Sequence, residues 1–312
     1  MAILEKGSDN QYLLDYKHDR IPKGLDIGCD LDNHIRFKRG QYVGVLGGNN
    51  VGKTYFMSWY FICLTIRHNL TWGLWMDENK KGRVLRDLIQ FYTGNKLKEL
   101  TDEDILITAD KIEDNFFFID NTDMYNPESL LTLFESRNPD GVLLDPFNQL
   151  DIPITYSENI ATVRNLKHWC KKTDTTLYLT MHPNTETQRK SSQFPEGHEW
   201  AGQPMMPLKH NSEGGSTFSN MSDDWINLNR LNKLESMKYW TMVDIDKIKD
   251  VDTGGEITNA EMPIMCNFNG GFGFIVNGVN PLKEHQIKWM NYLRTEKQTN
   301  LSHIRQDDDM PF

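Results

Sequence analysis

Eight consecutive residues carry the clearest chemistry in this chain. Gly47-Gly48-Asn49-Asn50-Val51-Gly52-Lys53-Thr54 has the spacing Gly-x-x-x-x-Gly-Lys-Thr, which is the P-loop pattern. Glycines let a backbone turn tightly and aim its N–H groups at phosphate oxygens. A lysine at this place reaches the outer phosphates of a nucleoside triphosphate, and the threonine hydroxyl can ligate Mg²⁺. Two acids further along suit the same chemistry. Glu78, which closes Thr71-Trp72-Gly73-Leu74-Trp75-Met76-Asp77-Glu78, can orient and deprotonate the water that attacks a γ-phosphate. Its neighbour Asp77 suits the first turn of the helix that follows. Asp145, after Gly141-Val142-Leu143-Leu144, has the Walker-B form, whose carboxylate holds Mg²⁺, usually through water. His182 closes the apolar run Thr175 to Met181. It either touches the γ-phosphate or serves as a helix cap or core histidine.

These residues need strands and helices to bring them together. The apolar run beginning at Tyr42 reads as a buried strand, and the aromatic-rich segment Tyr55 to Ile66 as the helix after the loop. Further apolar runs at 71–76, 116–119, 141–145 and 175–181 each end on a polar residue. Alternating strands and helices predict an α/β fold with a mostly parallel central sheet flanked by helices. Ligands then sit outside the carboxyl ends of the strands. Helices are expected over Asn79 to Tyr92, Pro127 to Arg137 and around Ile160, Val163, Leu166, Trp169 and Cys170. The opposite side of the last one carries Arg164, Lys167, His168, Lys171 and Lys172, a solvated basic face. Two more strands are expected at Asp223 to Arg230 and Tyr239 to Ile245. Asn269-Gly270-Gly271 joins Met262–Phe268 to Phe272–Val276 as a C-terminal β-hairpin. The polar connection over 184–223 is long enough to be a functional loop. The expected division is an N-terminal arm over 1–20, one ATPase domain over 21–297 and an acidic tail over 298–312.

The 312 residues are 38% hydrophobic and 25% charged, which supports a sizeable core and argues against wholesale disorder. A net charge of −10 argues against a basic coat but leaves room for nucleic acid in a local channel. Cys29, Cys63, Cys170 and Cys266 stand far apart, so neither a zinc site nor a disulfide framework is expected. A reducing, cytoplasmic setting fits, and no apolar run is long enough to span a bilayer.

Five blocks occur together. They are Gly40-Gln41 with the P-loop; Trp75-Met76-Asp77-Glu78 with Arg86; Leu144-Asp145-Pro146; Leu179-Thr180-Met181-His182-Pro183; and Gly215-Ser216 through Asp223-Asp224 and Arg230 to Lys247-Ile248-Lys249. In this order they resemble the RecA-like motor domain of DnaB/Twinkle-type replicative helicases, over roughly 21–276. The resemblance implies an ATP-driven helicase on single-stranded DNA in replication, a ring oligomer (hexameric in that family) with ATP, or another NTP or dNTP, at subunit interfaces. It implies Lys53 and Thr54 on phosphates and Mg²⁺, Glu78 as catalytic base, Asp145 as Walker-B acid and His182 as γ-phosphate sensor. Lys247 and Lys249 match a block that reaches the neighbour's site, where the family has an arginine finger. Lysine there lacks the bidentate fork, so either turnover is slower or Arg230 or Arg86 stands in. DNA-contacting loops map near 151–159, 183–217 and 231–238, with Arg189, Lys190, Lys233 and Lys238 as candidate contacts. The end Asp307-Asp308-Asp309-Met310-Pro311-Phe312 resembles the tip of bacterial single-stranded-DNA-binding proteins. That implies docking to a primase, polymerase or other replication protein. A recombination ATPase that does not unwind, and a nucleotide-gated adaptor, are the other two readings.

Overall fold

The computed structural model describes the backbone of residues 6–153, 155–259 and 261–308, and their side chains apart from residue 188 and 296–308. Nine strands form one sheet: β1 Tyr42–Gly47, β2 Trp72–Met76, β3 Phe116–Phe118, β4 Gly141–Asp145, β5 Thr176–Met181, β6 Asp224–Asn229, β7 Trp240–Lys247, β8 Ile264–Phe268 and β9 Phe274–Val276. Their order is β3-β2-β4-β5-β1-β6-β7-β8-β9. From β3 to β6 the pairs are parallel; β7, β8 and β9 extend the sheet antiparallel. The expected parallel core and C-terminal hairpin are both present.

Helices cover the two faces, as parallel strands require. One face packs under α2 Lys53–His68, α3 Lys81–Thr93 and α4 Asp102–Glu113; the other packs under α5 Pro127–Glu135, α6 Tyr156–Thr173 and the short α7 Thr217–Met221. Strand β1 serves both: Val43 and Val45 enter the first core, Tyr42 and Leu46 the second. That alternation follows from the two-residue period of a strand. Local signals set the helix starts. Thr101 accepts from the Asp104 N–H to open α4, and Asn126 with Pro127 opens α5. Within β1, Gly44 faces Trp225 of β6; a Cβ there would lie 2.2 Å from the indole.

The α1 helix, Asn10–Lys17, buries no residue. One stretch differs from expectation. The polar connection carries its own small core: Met206 packs with Leu231, Met237 and Met242, and Phe194 and Trp200 lean on them. The final helix α9 runs Lys283–Asp308. No glycine or proline interrupts that stretch, so nothing in it breaks a helix. The remaining helix, α8 Val251–Gly254, is a single turn. No helix among the described residues is long and apolar enough to cross a membrane.

Candidate active site

Strand β1 delivers Gly47 to the carboxyl end of the sheet, and the chain turns there into α2. Asn50 at φ 60° and Gly52 at φ 93° supply the left-handed backbone the turn needs. Lys53 is the first residue of α2 and only 7% exposed. Its Nζ donates to the Gly47 carbonyl at 2.7 Å and the Gly48 carbonyl at 3.2 Å. Burial lowers its pKa to about 8, against the opposing pull of Asp145 and Glu78. A charged ammonium held this dry gains from any anion placed against it.

Three neighbouring strand ends complete the wall. Asp145 ends β4 and is 4% exposed. The Thr54 hydroxyl donates to its Oδ2 and the Thr180 hydroxyl of β5 to its Oδ1. Asn79 adds a bond from Nδ2 to Thr54 Oγ1 at 3.3 Å. His182 follows β5, with Nδ1 3.2 Å from the Lys53 ammonium. Ammonium only donates, so Nδ1 accepts and the imidazole proton sits on Nε2. Burial and the Lys53 charge hold this histidine's pKa below its ordinary value, so it is neutral at pH 7. Nε2 lies 3.8 Å from Glu78 Oε1, and the Glu78 carboxylate is 52% exposed. Thr54 and Asp145 offer hard oxygen donors converging on one point, which suits Mg²⁺. The buried Lys53 and the inward loop suit phosphate.

These groups line one cleft of about 700 Å³. Helix α3 forms its side wall through Arg83, Arg86, Asp87 and Gln90. Its far end is aromatic: the Tyr55 ring meets Phe91 at 4.8 Å and Phe274 at 5.5 Å. The Arg230 guanidinium lies 5.7 Å from the centre of the Phe268 ring. A planar, electron-rich ring fits such a cation-and-aromatic end. Sequence reasoning missed Tyr55, Phe268 and Phe274 as a group, because they come from α2, β8 and β9 and share no motif.

No protein-family model and no curated protein sequence matches the chain. Solved structures do. The ATPase domain of G40P aligns over 87% of this chain and 99% of its own, with TM-score 0.68 and 14% identity. A DnaB-like replicative helicase, described with its interactions with primase, aligns over 87% of this chain and 67% of its own, at TM-score 0.65 and 15% identity. A KaiC-like protein from the archaeon Pyrococcus horikoshii aligns over 82% and 97%, at TM-score 0.53 and 14% identity. The fold is RecA-like. At such low identities the likeness is one of architecture.

The RecA-like sheet gathers Gly47 to Thr54, Glu78, Asp145 and His182; Arg86 and Arg230 line the same cleft, and the other candidates lie elsewhere. Lys247 ends β7, opposite Trp225 near the start of β6, so it lies toward the amino end of the parallel strands, away from the P-loop at their carboxyl end. Its ammonium donates to the carbonyls of Ser219, Asn220 and Ser222, capping α7. Lys249, 54% exposed, pairs with Asp223 at 2.8 Å. Neither lines the cleft of its own chain. Arg230 donates to the Lys238 carbonyl at 2.6 and 3.0 Å, and Arg86 to Asp87 at 2.6 and 2.9 Å. Arg189 pairs with Glu186, and Lys238 with Glu235; Lys190 and Lys233 are exposed. The side chains of Asp307 and Asp308, and residues Asp309, Pro311 and Phe312, lie outside the described residues.

Proposed function

We propose that this chain is an ATP-driven translocase and helicase on single-stranded DNA, acting in replication as a ring of identical subunits. One observation carries the reading: Glu78, Asp145 and His182 converge from adjacent strand ends on Lys53 and Thr54. The likeness in fold to DnaB-like helicase domains supports its direction. Glu78 takes a proton from a water. That water's oxygen bonds to the γ-phosphorus as the bond to the β,γ-bridging oxygen breaks. ADP leaves with the electron pair, and phosphate is released. Mg²⁺ held by Thr54 and Asp145 would neutralise charge on the β- and γ-phosphate oxygens. Neutral His182, with its Nε2–H toward the cleft, donates to the γ-phosphate.

The proposal includes an ATP site closed by a neighbouring copy. Lys249 is the suited cation there, because Asp223 keeps Lys167 at 2.9 Å when Lys249 leaves. Lys247 has all three donors in use. Arg189, Lys190, Lys233 and Lys238 are proposed DNA contacts, and Asp307, Asp308, Asp309, Pro311 and Phe312 a docking tip for a replication protein.

A non-unwinding DNA ATPase is the second reading, favoured by the lysine at 249, since an arginine finger contributes about 10³- to 10⁵-fold in rate. A forked-duplex strand-displacement assay with parallel phosphate release separates them. DNA-stimulated hydrolysis with displacement supports the helicase; hydrolysis with DNA coating and no displacement supports the second. Hydrolysis that never responds to DNA defeats both.

A further inference from the structure

Three arginines line the nucleotide cleft: Arg83, Arg86 and Arg230. Two are committed. Arg86 holds Asp87 through both Nε and Nη2, and Arg230 holds the Lys238 carbonyl in the same way. The Arg83 side chain has no hydrogen bond or ion pair among the described residues, although the helix it stands on is fixed by buried Val84 and Leu88. Its charge is felt at Asp87, one helical turn on, which Arg86 already bonds.

Helix α3 runs along the cleft and gives each position an address. Its start follows Asn79, whose amide bonds Thr54. Near its end, the Gln90 amide faces Gly271 in the β8–β9 turn, beside the aromatic end of the cleft. Arg83 and Gln90 are about 10 Å apart along the axis at 1.5 Å per residue. Arg83 therefore stands at the phosphate end, on the Glu78 side, and Gln90 at the ring end.

We propose that Arg83 contacts the outermost phosphate of the nucleotide bound by its own chain, supplying in cis the planar fork that Lys249 lacks. This deepens the nucleotide-hydrolysis reading above and rests on it. The fork places two N–H donors on two oxygens of one phosphoryl group, which a lysine ammonium does not. Charge develops on those oxygens as the γ-phosphorus is transferred, so the contact strengthens in the transition state.

The test compares the unmodified full chain with Arg83→Ala and Arg83→Lys. Arg83 is exposed and unpaired, so all three should melt within about a degree of one another. Single-turnover ATP hydrolysis should fall about 100-fold in Arg83→Ala, the scale of losing one preorganised donor, and less in Arg83→Lys. Binding should separate the phosphates: affinity for ATPγS should fall at least about tenfold more than affinity for ADP. Equal weakening of both, or no change in either, overturns the assignment while leaving nucleotide binding intact. An unmodified chain that binds neither nucleotide removes the underlying reading and the assignment with it. Mixing Arg83→Ala with Lys53→Ala chains should restore no hydrolysis. Restored hydrolysis would mean that Arg83 serves the neighbour, and the cis assignment falls.

Discussion

Replacing Thr180 with valine removes one hydroxyl and almost no volume. Thr180 is fully buried, and its Oγ1 is the donor to Oδ1 of Asp145, a carboxylate itself only 4% exposed. The other oxygen, Oδ2, keeps Thr54. The variant thus leaves half of a buried carboxylate without its partner. Hydrogen bonds to charged groups contribute about 1.5–3 kcal/mol, and the stranded acceptor carries most of that cost. A loss of about 2 kcal/mol is expected. At about 2.1 cal/mol/K of unfolding entropy per residue, a chain of 312 residues should melt about 3 °C lower. Thr180→Ser keeps the hydroxyl and should lose about 1 kcal/mol, the scale of a buried methyl. Urea and thermal unfolding of the nucleotide-free protein, followed by circular dichroism, provide the measurement. A valine variant as stable as the parent to within 0.5 kcal/mol, or a serine variant as damaged as the valine one, refutes the claim that this hydroxyl steadies Asp145.

Two further outcomes follow from the same geometry. Lys53 has its pKa lowered by burial to about 8 in the free protein, and bound phosphate should raise it. ATP affinity should be flat below pH 8 and fall about tenfold per unit above it. Calorimetry in buffers of differing ionisation heat should find close to one proton taken up per site at pH 9, and none would count against the assignment. In the free protein the sign reverses: the cost of keeping Lys53 charged is present below pH 8 and relieved as pH rises toward 10.5. Gly44→Ala would set a methyl 2.2 Å from the Trp225 indole between two packed strands. A loss of about 3 kcal/mol and an altered near-ultraviolet tryptophan signal are expected; parental stability would refute the close approach.

The strands of this fold were legible because each is an apolar run with a polar stop. The P-loop, Glu78, Asp145 and His182 were legible because each ends such a run. What was not legible depends on neighbours distant in sequence. The core beneath Met206 is assembled with Leu231 and Met242, so its stretch reads as a polar loop. Lys247 reads as a free cation until α7 places three carbonyls on it. Arg83 sits between Glu78 and the motif arginine Arg86 with no pattern of its own. Only the path of α3 along the cleft distinguishes it.

Both margins of the nine-stranded sheet are three-residue strands, β3 and β9. An edge that short offers hardly any free N–H and C=O groups for another chain to pair with. Copies of this chain therefore have little means of extending one sheet into the next. In the proposed ring, contacts between copies would then fall to side chains and loops, which can part and re-form a few at a time. A shared ladder would weld subunits into a seam; contacts of this kind would act as joints that can slip while each subunit keeps its own sheet intact.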